Sequence, residues 1–111
     1  MFARHVTMKL KSNSVVELPR IIESDVLPLL RKQKGFRDEI SFVSPERSLA
    51  VGISLWDTKE DAEAYNLAGY PDVLKTLSKV LEGTPTVETF EVANSTLHNI
   101  ASKAASSRQI C

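Results

Sequence analysis

The sequence predicts a single α+β domain built from four β-strands and two helices in the order β-α-β-β-α-β. Four segments alternate between apolar and polar residues with a period of two, which is typical of strands that bury one face. Two longer segments between them repeat apolar residues at helical spacing. The length of 111 residues fits one domain, and 42% hydrophobic with 25% charged residues is close to the globular average.

The first strand is predicted between residues 2 and 10, where Val6, Met8 and Leu10 form an apolar side opposite His5, Thr7 and Lys9. The first helix follows and begins near Leu18, after a capping-box pair at Ser14 and Glu17. Pro28 removes a backbone hydrogen bond and therefore predicts a kink or break near Asp25. Lys34 and Gly35 are typical of the end of a helix.

A hairpin is predicted next, with strands at 36–43 and 48–56 joined by a turn at 44–47 that contains a proline. In the first of these strands, Ile40 and Phe42 make the more apolar side. In the second, the larger apolar residues alternate with Ala50, Gly52, Ser54 and Trp56. We expect this second set to lie on the face of the sheet away from the helices.

The second helix is predicted to begin after Asp57 and Thr58, whose side chains can cap it, and to be interrupted at 69–71. Its second piece is expected to end at 83–85, where a glycine and a proline occur. A fourth strand follows at 87–93. Within it we expect Phe90 and Val92 to face the helices and Thr89 and Glu91 to face away from them.

This order of elements predicts the ferredoxin-like fold, a four-stranded antiparallel sheet with both helices on one face. The other face has no cover within the chain, and we expect a second copy of the sheet to cover it in a homodimer. This domain is predicted to span residues 1–94. Residues 95–111 form a tail, predicted to be a short helix or disordered, that ends in the single cysteine, Cys111.

Charge and composition exclude several classes of partner. The 14 Lys and Arg residues balance 14 Asp and Glu residues, whereas binding to nucleic acid or to an anionic membrane needs a basic excess. The sequence shows no membrane-spanning or export segment, no phosphate loop and no metal-ligand spacing. A single cysteine is typical of a cytoplasmic protein, which is the localisation we predict.

The chain resembles the antibiotic biosynthesis monooxygenase-like family of dimeric α+β barrels over residues 2–94. The residues that carry the resemblance are Gly35-Phe36 after a helix that contains Pro28, the run from Ser54 to Tyr65, and the closing strand. The resemblance implies a homodimer with a small cavity between the sheet and the helices of each protomer. It also implies oxidation of a small aromatic or quinol-like substrate by dioxygen, with no metal or other cofactor.

The match to the family is incomplete at two positions. Trp56 matches a family tryptophan at the end of the third strand, but no asparagine lies on the first strand, where family enzymes tend to use one. A related branch binds and degrades haem through a histidine on the second helix. The chain has only His5 and His98, neither of them on that helix, which argues against haem degradation.

Five residues are candidates for the site. His5, Trp56 and Asn66 are the catalytic candidates, and Trp56, Tyr65 and Tyr70 are the substrate-binding candidates. Each also has a structural interpretation: His5 at the surface or the dimer seam, Trp56 and Tyr65 in packing, and Tyr70 at a helix break. The sequence therefore predicts a cofactor-independent monooxygenase-like domain. The alternative is a non-catalytic, small-molecule-binding or stress-related dimer of the same fold.

Overall fold

The computed structural model describes residues 1–98 and contains one antiparallel sheet of four strands. The strands are β1 (Phe2–Leu10), β2 (Phe36–Ser44), β3 (Leu49–Trp56) and β4 (Leu81–Glu91). They are arranged in the order β2-β3-β1-β4, and every neighbouring pair is antiparallel. This arrangement confirms the predicted ferredoxin-like α+β fold.

The first helical region is continuous but irregular. It consists of α1 (Glu17–Ile21), a π-helical turn (Ile22–Val26) and α2 (Leu27–Arg31). Pro28 has no amide hydrogen to donate to the carbonyl four residues earlier, so the regular hydrogen-bond pattern of the helix is interrupted here, at the start of α2. The π-helical turn lies directly before this proline, which confirms the irregularity predicted near Asp25.

The second helical region is divided as the sequence predicts. It comprises α3 (Lys59–Ala68) and α4 (Tyr70–Leu77), which are separated by Gly69. Thr58 caps α3, because its Oγ1 accepts a hydrogen bond of 3.1 Å from the amide of Asp61. Both helical regions lie on one face of the sheet and bury an apolar layer against it. The largest fully buried side chains of this layer are Trp56, Leu10, Leu18 and Val80.

The last strand is longer than predicted. Gly83 and Pro85 do not end a helix, because α4 ends at Leu77 and β4 already begins at Leu81. The pairing of β4 with β1 shifts between Thr7 and Lys9, and residues 83–85 lie in this irregularity. A β-bulge tolerates both a glycine at positive φ, here +70°, and a proline that cannot donate to the ladder.

The predicted faces of β3 and β4 were wrong. Gly52 and Ser54 pair with Val6 and Arg4 of β1, on the face that the helices cover. Ser54 and Trp56 are buried there, and Ala50 is 1% exposed. On this face Gly52 lies beside the Met8 side chain of β1, from which a Cβ at position 52 would be 3.5 Å away. In β4, Thr89 pairs with Arg4 on the same face.

The open face of the sheet is consequently more apolar than predicted. On the outer strand Ile40 and Phe42 are 51% and 52% exposed, and on the opposite edge Phe90 is 53% exposed. The strand register places Val51 and Ile53 between these edges, because they pair with Phe42 and Ile40. Strand β1 presents His5 and Thr7 between this apolar area and Phe90. Exposed apolar side chains gathered on one face of a sheet are typical of an interaction surface.

The described part of the chain ends within the predicted tail. Residues 96–98 form a turn, and the imidazole Nε2 of His98 lies 2.6 Å from Oδ2 of Asp38 on β2. The predicted helix or disorder beyond this point, including Cys111, lies outside the described residues. No helix within residues 1–98 has the length and apolar character needed to cross a membrane.

Candidate functional site

An arginine lies inside the layer between the sheet and the helices. Arg4 belongs to β1, on the helix-covered face, and only 2% of its surface is exposed. Its Nη1 donates a hydrogen bond of 2.8 Å to Oδ1 of Asn66 on α3. No ion pair within residues 1–98 involves this guanidinium. Its charge is therefore balanced by dipoles and aromatic rings in place of a carboxylate.

Two tyrosines from the second helical region enclose this cation. Cζ of Arg4 lies 5.1 Å from the ring centroid of Tyr65 and 4.5 Å from that of Tyr70. At these distances the ring faces attract a positive charge. Gly69 fixes the approach of α4 to α3, because a Cβ at this position would lie 2.9 Å from the Tyr65 ring. The break between the two helices thus brings both phenols to Arg4.

Trp56 packs against the Tyr65 ring of this cluster. Its ring stacks on Tyr65 at a centroid distance of 4.8 Å, and Phe36 contacts it edge-on at 5.5 Å. The indole Nε1 donates a hydrogen bond of 2.9 Å to Oγ of Ser54, its neighbour on the same face of β3. Trp56 is fully buried, so its contacts hold Tyr65 in position.

Burial controls the ionisation of the three polar groups. It raises the pKa of both Tyr65 and Tyr70, while the positive charge of Arg4 opposes this rise without cancelling it. Burial also lowers the pKa of Arg4, and the two phenols oppose that shift. An arginine remains protonated in proteins nevertheless. At neutral pH the cluster therefore presents one cation and two neutral hydroxyl groups.

A cavity of about 60 Å³ adjoins the cluster between the sheet and the helices. Its wall is mainly apolar and includes Ile22 and Val26 of the π-helical turn; its polar boundary consists of Arg4, Glu39, Ser41, Ser54, Tyr65 and Tyr70. Drug-sized ligands usually occupy pockets of about 300–1,000 Å³. The cavity is thus smaller than the few hundred Å³ that an enzyme of this fold is expected to hold, and Trp56 does not line it.

A second depression of about 290 Å³ lies beside the first, on the far side of Arg4. It runs between α3 and the outer strand β4, and Asn66, Glu63 and Thr89 line it. Asn66 and Thr89 are both exposed. Arg4 lines both spaces and separates them.

A carboxylate also borders the cavity. Glu39 lies on β2, where it pairs with Ser54 across the sheet, and it is half-buried. The hydroxyl of Ser41 donates a hydrogen bond to its Oε2. The cavity therefore combines a cation, two neutral phenols and one possible proton acceptor.

Four of the five predicted site residues lie together. Trp56, Tyr65 and Tyr70 form one aromatic cluster, and Asn66 binds the guanidinium beside it. His5 does not belong to this group, and its catalytic role stays a prediction. It points to the open face, where its ring meets that of Phe90 at 6.4 Å, because successive residues of a strand face opposite sides.

Sequence reasoning missed Arg4 and Glu39. Arg4 continues the period-two series of Val6, Met8 and Leu10, so a charged residue stood in line with the apolar side of β1. The position of Arg4 in this series is visible in the sequence alone. Glu39 carried no such signal, since the covered face of β2 also holds Ser41 and is only half-buried.

Within the described residues no cluster of three or more His, Cys, Asp or Glu side chains is arranged to bind a metal ion.

Comparison with known proteins identifies the fold. No protein-family model and no curated protein sequence matches the chain. Among solved structures, the monooxygenase ActVA-Orf6 of Streptomyces coelicolor, in complex with nanaomycin D, is similar with a TM-score of 0.71 and 17% identity. The alignment covers 85% of this chain and 88% of that one.

Two further structures show the same likeness. The cofactor-independent oxygenase SnoaB of Streptomyces nogalater, solved as a mutant, has a TM-score of 0.67 and 12% identity, with 86% and 95% of the two chains covered. The protein NE2512 of Nitrosomonas europaea, of unknown function, has a TM-score of 0.70 and 17% identity over 86% and 91%. The resemblance to antibiotic biosynthesis monooxygenase-like proteins is confirmed, and at these identities it is a likeness of fold.

The hydrogen bond from the Trp56 indole to Ser54 gives a test of the packing around the aromatic cluster. We expect Ser54→Ala to lower the free energy of unfolding by about 1–3 kcal/mol, because it leaves a buried indole N–H without an acceptor. Urea unfolding measures the loss. Ser78→Ala is the control, since its exposed hydroxyl bonds only to a nearby carbonyl, and a loss equal to that of Ser54→Ala would contradict this interpretation.

The raised pKa values of Tyr65 and Tyr70 give a second test. These are the only two tyrosines in the chain, so tyrosinate absorbance reports on them alone. In the folded protein it should appear well above pH 10, near which a free tyrosine ionises. Both folded pKa values exceed the unfolded one, so stability is unchanged below about pH 10 and falls as pH rises further. Ionisation of both groups near pH 10 in the folded protein would refute the buried cluster.

Proposed function

We propose that this chain is a cofactor-independent oxygenase that acts on a small, planar, aromatic or quinol-type substrate. The observation that carries the proposal is the buried cation of Arg4, flanked by two neutral phenols at the edge of an apolar cavity. The shared fold supports it, since similar structures include a monooxygenase in complex with nanaomycin D and a cofactor-independent oxygenase.

The chemistry follows from the charges around the cavity. An enolisable substrate such as an anthrone loses a proton from its ring CH₂ group to the carboxylate of Glu39. The negative charge moves to the carbonyl oxygen, where the positive charge of Arg4 and a hydroxyl hydrogen bond stabilise it. A water-poor, apolar wall strengthens both interactions. The residues of the chain thereby favour the carbanion over the neutral substrate.

Dioxygen then oxidises this carbanion. Electron transfer and carbon–oxygen bond formation give a peroxide anion at the former CH₂ carbon, which takes the proton back from Glu39 to become a hydroperoxide. Loss of water from the hydroperoxide forms a carbonyl group, so that one anthrone and one dioxygen yield one anthraquinone and one water. The four electrons come from the substrate and reduce both oxygen atoms, and no other reductant is consumed.

Substrate binding requires the cavity to widen. A volume of about 60 Å³ is too small for a fused-ring ligand, for which pockets of about 300 Å³ or more are usual. Two elements of its wall are suited to movement. Tyr70 is only partly buried at the start of α4, and the π-helical turn Ile22–Val26 interrupts the regular hydrogen bonds of its helix.

The small cavity also favours the second candidate function, a dimer that binds a small molecule without transforming it. Such a protein would use the same cation and phenols to hold its ligand. Glu39 separates the two functions, since binding alone needs no proton acceptor.

We also propose that the chain forms a homodimer through the open face of its sheet. This face carries Ile40, Phe42 and Phe90, each about half-exposed. Strand β3 presents Val51 and Ile53 beside Phe42 and Ile40, whereas β1 presents His5 and Thr7 between β3 and the edge strand β4. A two-fold axis through the sheet would pair this surface with itself, which is the simplest closed assembly. His5 lies on the same face and would be at the interface.

Oxygen uptake tests the catalytic proposal. We expect the parent protein to consume dioxygen with at least one member of a panel of anthrones and hydroxynaphthoquinones, after dialysis against a chelator. Glu39→Gln removes the proton acceptor and should lower the rate about 10²-fold or more. Glu46→Gln is the matched control, because Glu46 is exposed in the turn between β2 and β3. No turnover by the parent would contradict the oxygenase and favour the binding protein. Turnover at equal rates in both variants would rule out Glu39 as the proton acceptor.

The dimer is tested by size-exclusion chromatography with light scattering. We expect the parent to elute with the mass of two chains at micromolar concentration, and Phe42→Glu to elute as a monomer, because it places a charge in the apolar surface. Leu67→Glu is the control, since Leu67 on α3 is 80% exposed but lies on the helical side of the molecule. A parent protein that elutes as a monomer would rule out the barrel.

A further inference from the structure

One edge of the Arg4 guanidinium has no hydrogen-bond partner among the described residues. Its Nη1 is bonded to Asn66, whereas Nε and Nη2 are buried and have no hydrogen-bond partner among residues 1–98. Buried polar atoms are normally paired, and a charged donor without an acceptor is especially costly. The hydroxyl of Tyr70 is buried and unpaired in the same part of the chain. Arg4 and Tyr70 both line the cavity of about 60 Å³, so its wall holds three buried donors without a partner among the described residues.

The two free nitrogens form the edge that recognises paired oxygens. In a planar guanidinium, the N–H of Nε and one N–H of Nη2 are parallel and lie on the same side. This fork matches two oxygen atoms of one planar group, such as a carboxylate, and binds both at once. A single carbonyl oxygen would satisfy only one of the two donors.

The surroundings select the rest of such a ligand. The rings of Tyr65 and Tyr70 lie over the guanidinium and leave its edge as the remaining direction for a partner. The neighbouring wall is formed by apolar side chains of β1 and the first helical region, which include Val6, Met8, Val26 and Leu30. A ligand that satisfies the edge thus carries its charge at one end and a flat apolar body at the other.

We infer that the Nε/Nη2 edge of Arg4 is a bidentate binding site for a planar aromatic anion that presents two neighbouring oxygen atoms. An aromatic carboxylate and the hydroxyl–carbonyl pair of an ionised hydroxyquinone share this chemistry. The hydroxyl of Tyr70 donates to one of the two oxygens, and its ring moves outward to admit the ligand. This inference rests on the proposed function in that it places the ligand in the same cavity, but it concerns binding and needs no turnover.

The test compares ionisable ligands with their methylated forms under anaerobic conditions, so that no oxidation interferes. One arm uses 2-hydroxy-1,4-naphthoquinone against 2-methoxy-1,4-naphthoquinone, and the other uses 1-hydroxy-2-naphthoate against its methyl ester. We expect the parent protein to bind each anion about tenfold or more tightly than its methylated form. The absorbance of the bound hydroxyquinone should show its pKa lowered by about one unit or more, the equivalent of that preference.

Two variants separate the fork from the charge alone. Arg4→Gln should abolish the preference for the anion, and Arg4→Lys should retain only part of it, because an ammonium cannot bind both oxygens in parallel. Arg37→Gln is the control, since Arg37 is an exposed arginine on β2 that pairs with Asp57. Circular dichroism checks that each variant is folded. If a variant does not fold, the comparison of ionisable with methylated ligands on the parent protein still tests whether the site prefers an anion.

Each outcome has a defined meaning. Preference in both arms supports the inference for the shared chemistry, and preference in one arm identifies which oxygen pair is bound. Equal binding of ionised and methylated ligands, absence of binding in both arms, or a preference that survives Arg4→Gln would overturn it. Oxygen uptake without any anion preference would overturn this inference and leave the proposed oxygenase intact. An anion preference without oxygen uptake would support this inference and contradict the proposed oxygenase.

Discussion

A positive charge inside the layer between sheet and helices is the constraint on which the rest of the site depends. Transfer of an ion out of water is expensive, and it is tolerated only where nearby groups replace the lost hydration. Here the replacement comes from Asn66 of α3 and from the faces of Tyr65 and Tyr70. The α3–α4 break at Gly69, the stack of Tyr65 on Trp56 and the hydrogen bond to Ser54 all serve to place these groups.

The same constraint links the fold to its chemistry. Arg4 is held by neutral groups, so its charge is available to a ligand, whereas a carboxylate partner would have neutralised it. Burial keeps both phenols protonated, and they can therefore donate hydrogen bonds to an anion without competing with it for the cation. Glu39 lies across the cavity on a different strand and supplies the one basic group of its polar boundary. Strand β1 provides the charge and β2 the carboxylate, and both helical regions contribute to the walls.

Much of the fold could be predicted from the sequence, because each element has a strong local signal. The period of two in β1, the cap at Thr58 and the proline at 28 each act within a few residues, and the structure confirms what they predict. The direction in which β3 faces could not be predicted in this way. Both of its alternating sets are uncharged, and the larger apolar set turned outward while Ala50 and Gly52 lie beneath the helices.

The sequence predicted only part of the candidate site. Trp56 was predicted from the family resemblance, and Tyr65 and Asn66 were predicted as an aromatic and a polar side chain on the second helix. Arg4 was missed because a charge among the apolar residues of a strand contradicts the pattern that identifies its apolar side, whereas the open face of His5 follows from the same alternation.

A crystal structure of the protein with bound 2-hydroxy-1,4-naphthoquinone tests the central claim most directly. The account predicts that the two neighbouring oxygens of the ligand lie within hydrogen-bond distance of Nε and Nη2 of Arg4, with the Tyr70 ring displaced outward and the naphthalene body against the wall of β1. A ligand seated in the depression lined by Glu63 and Thr89, with the Arg4 edge still unpaired, would contradict it.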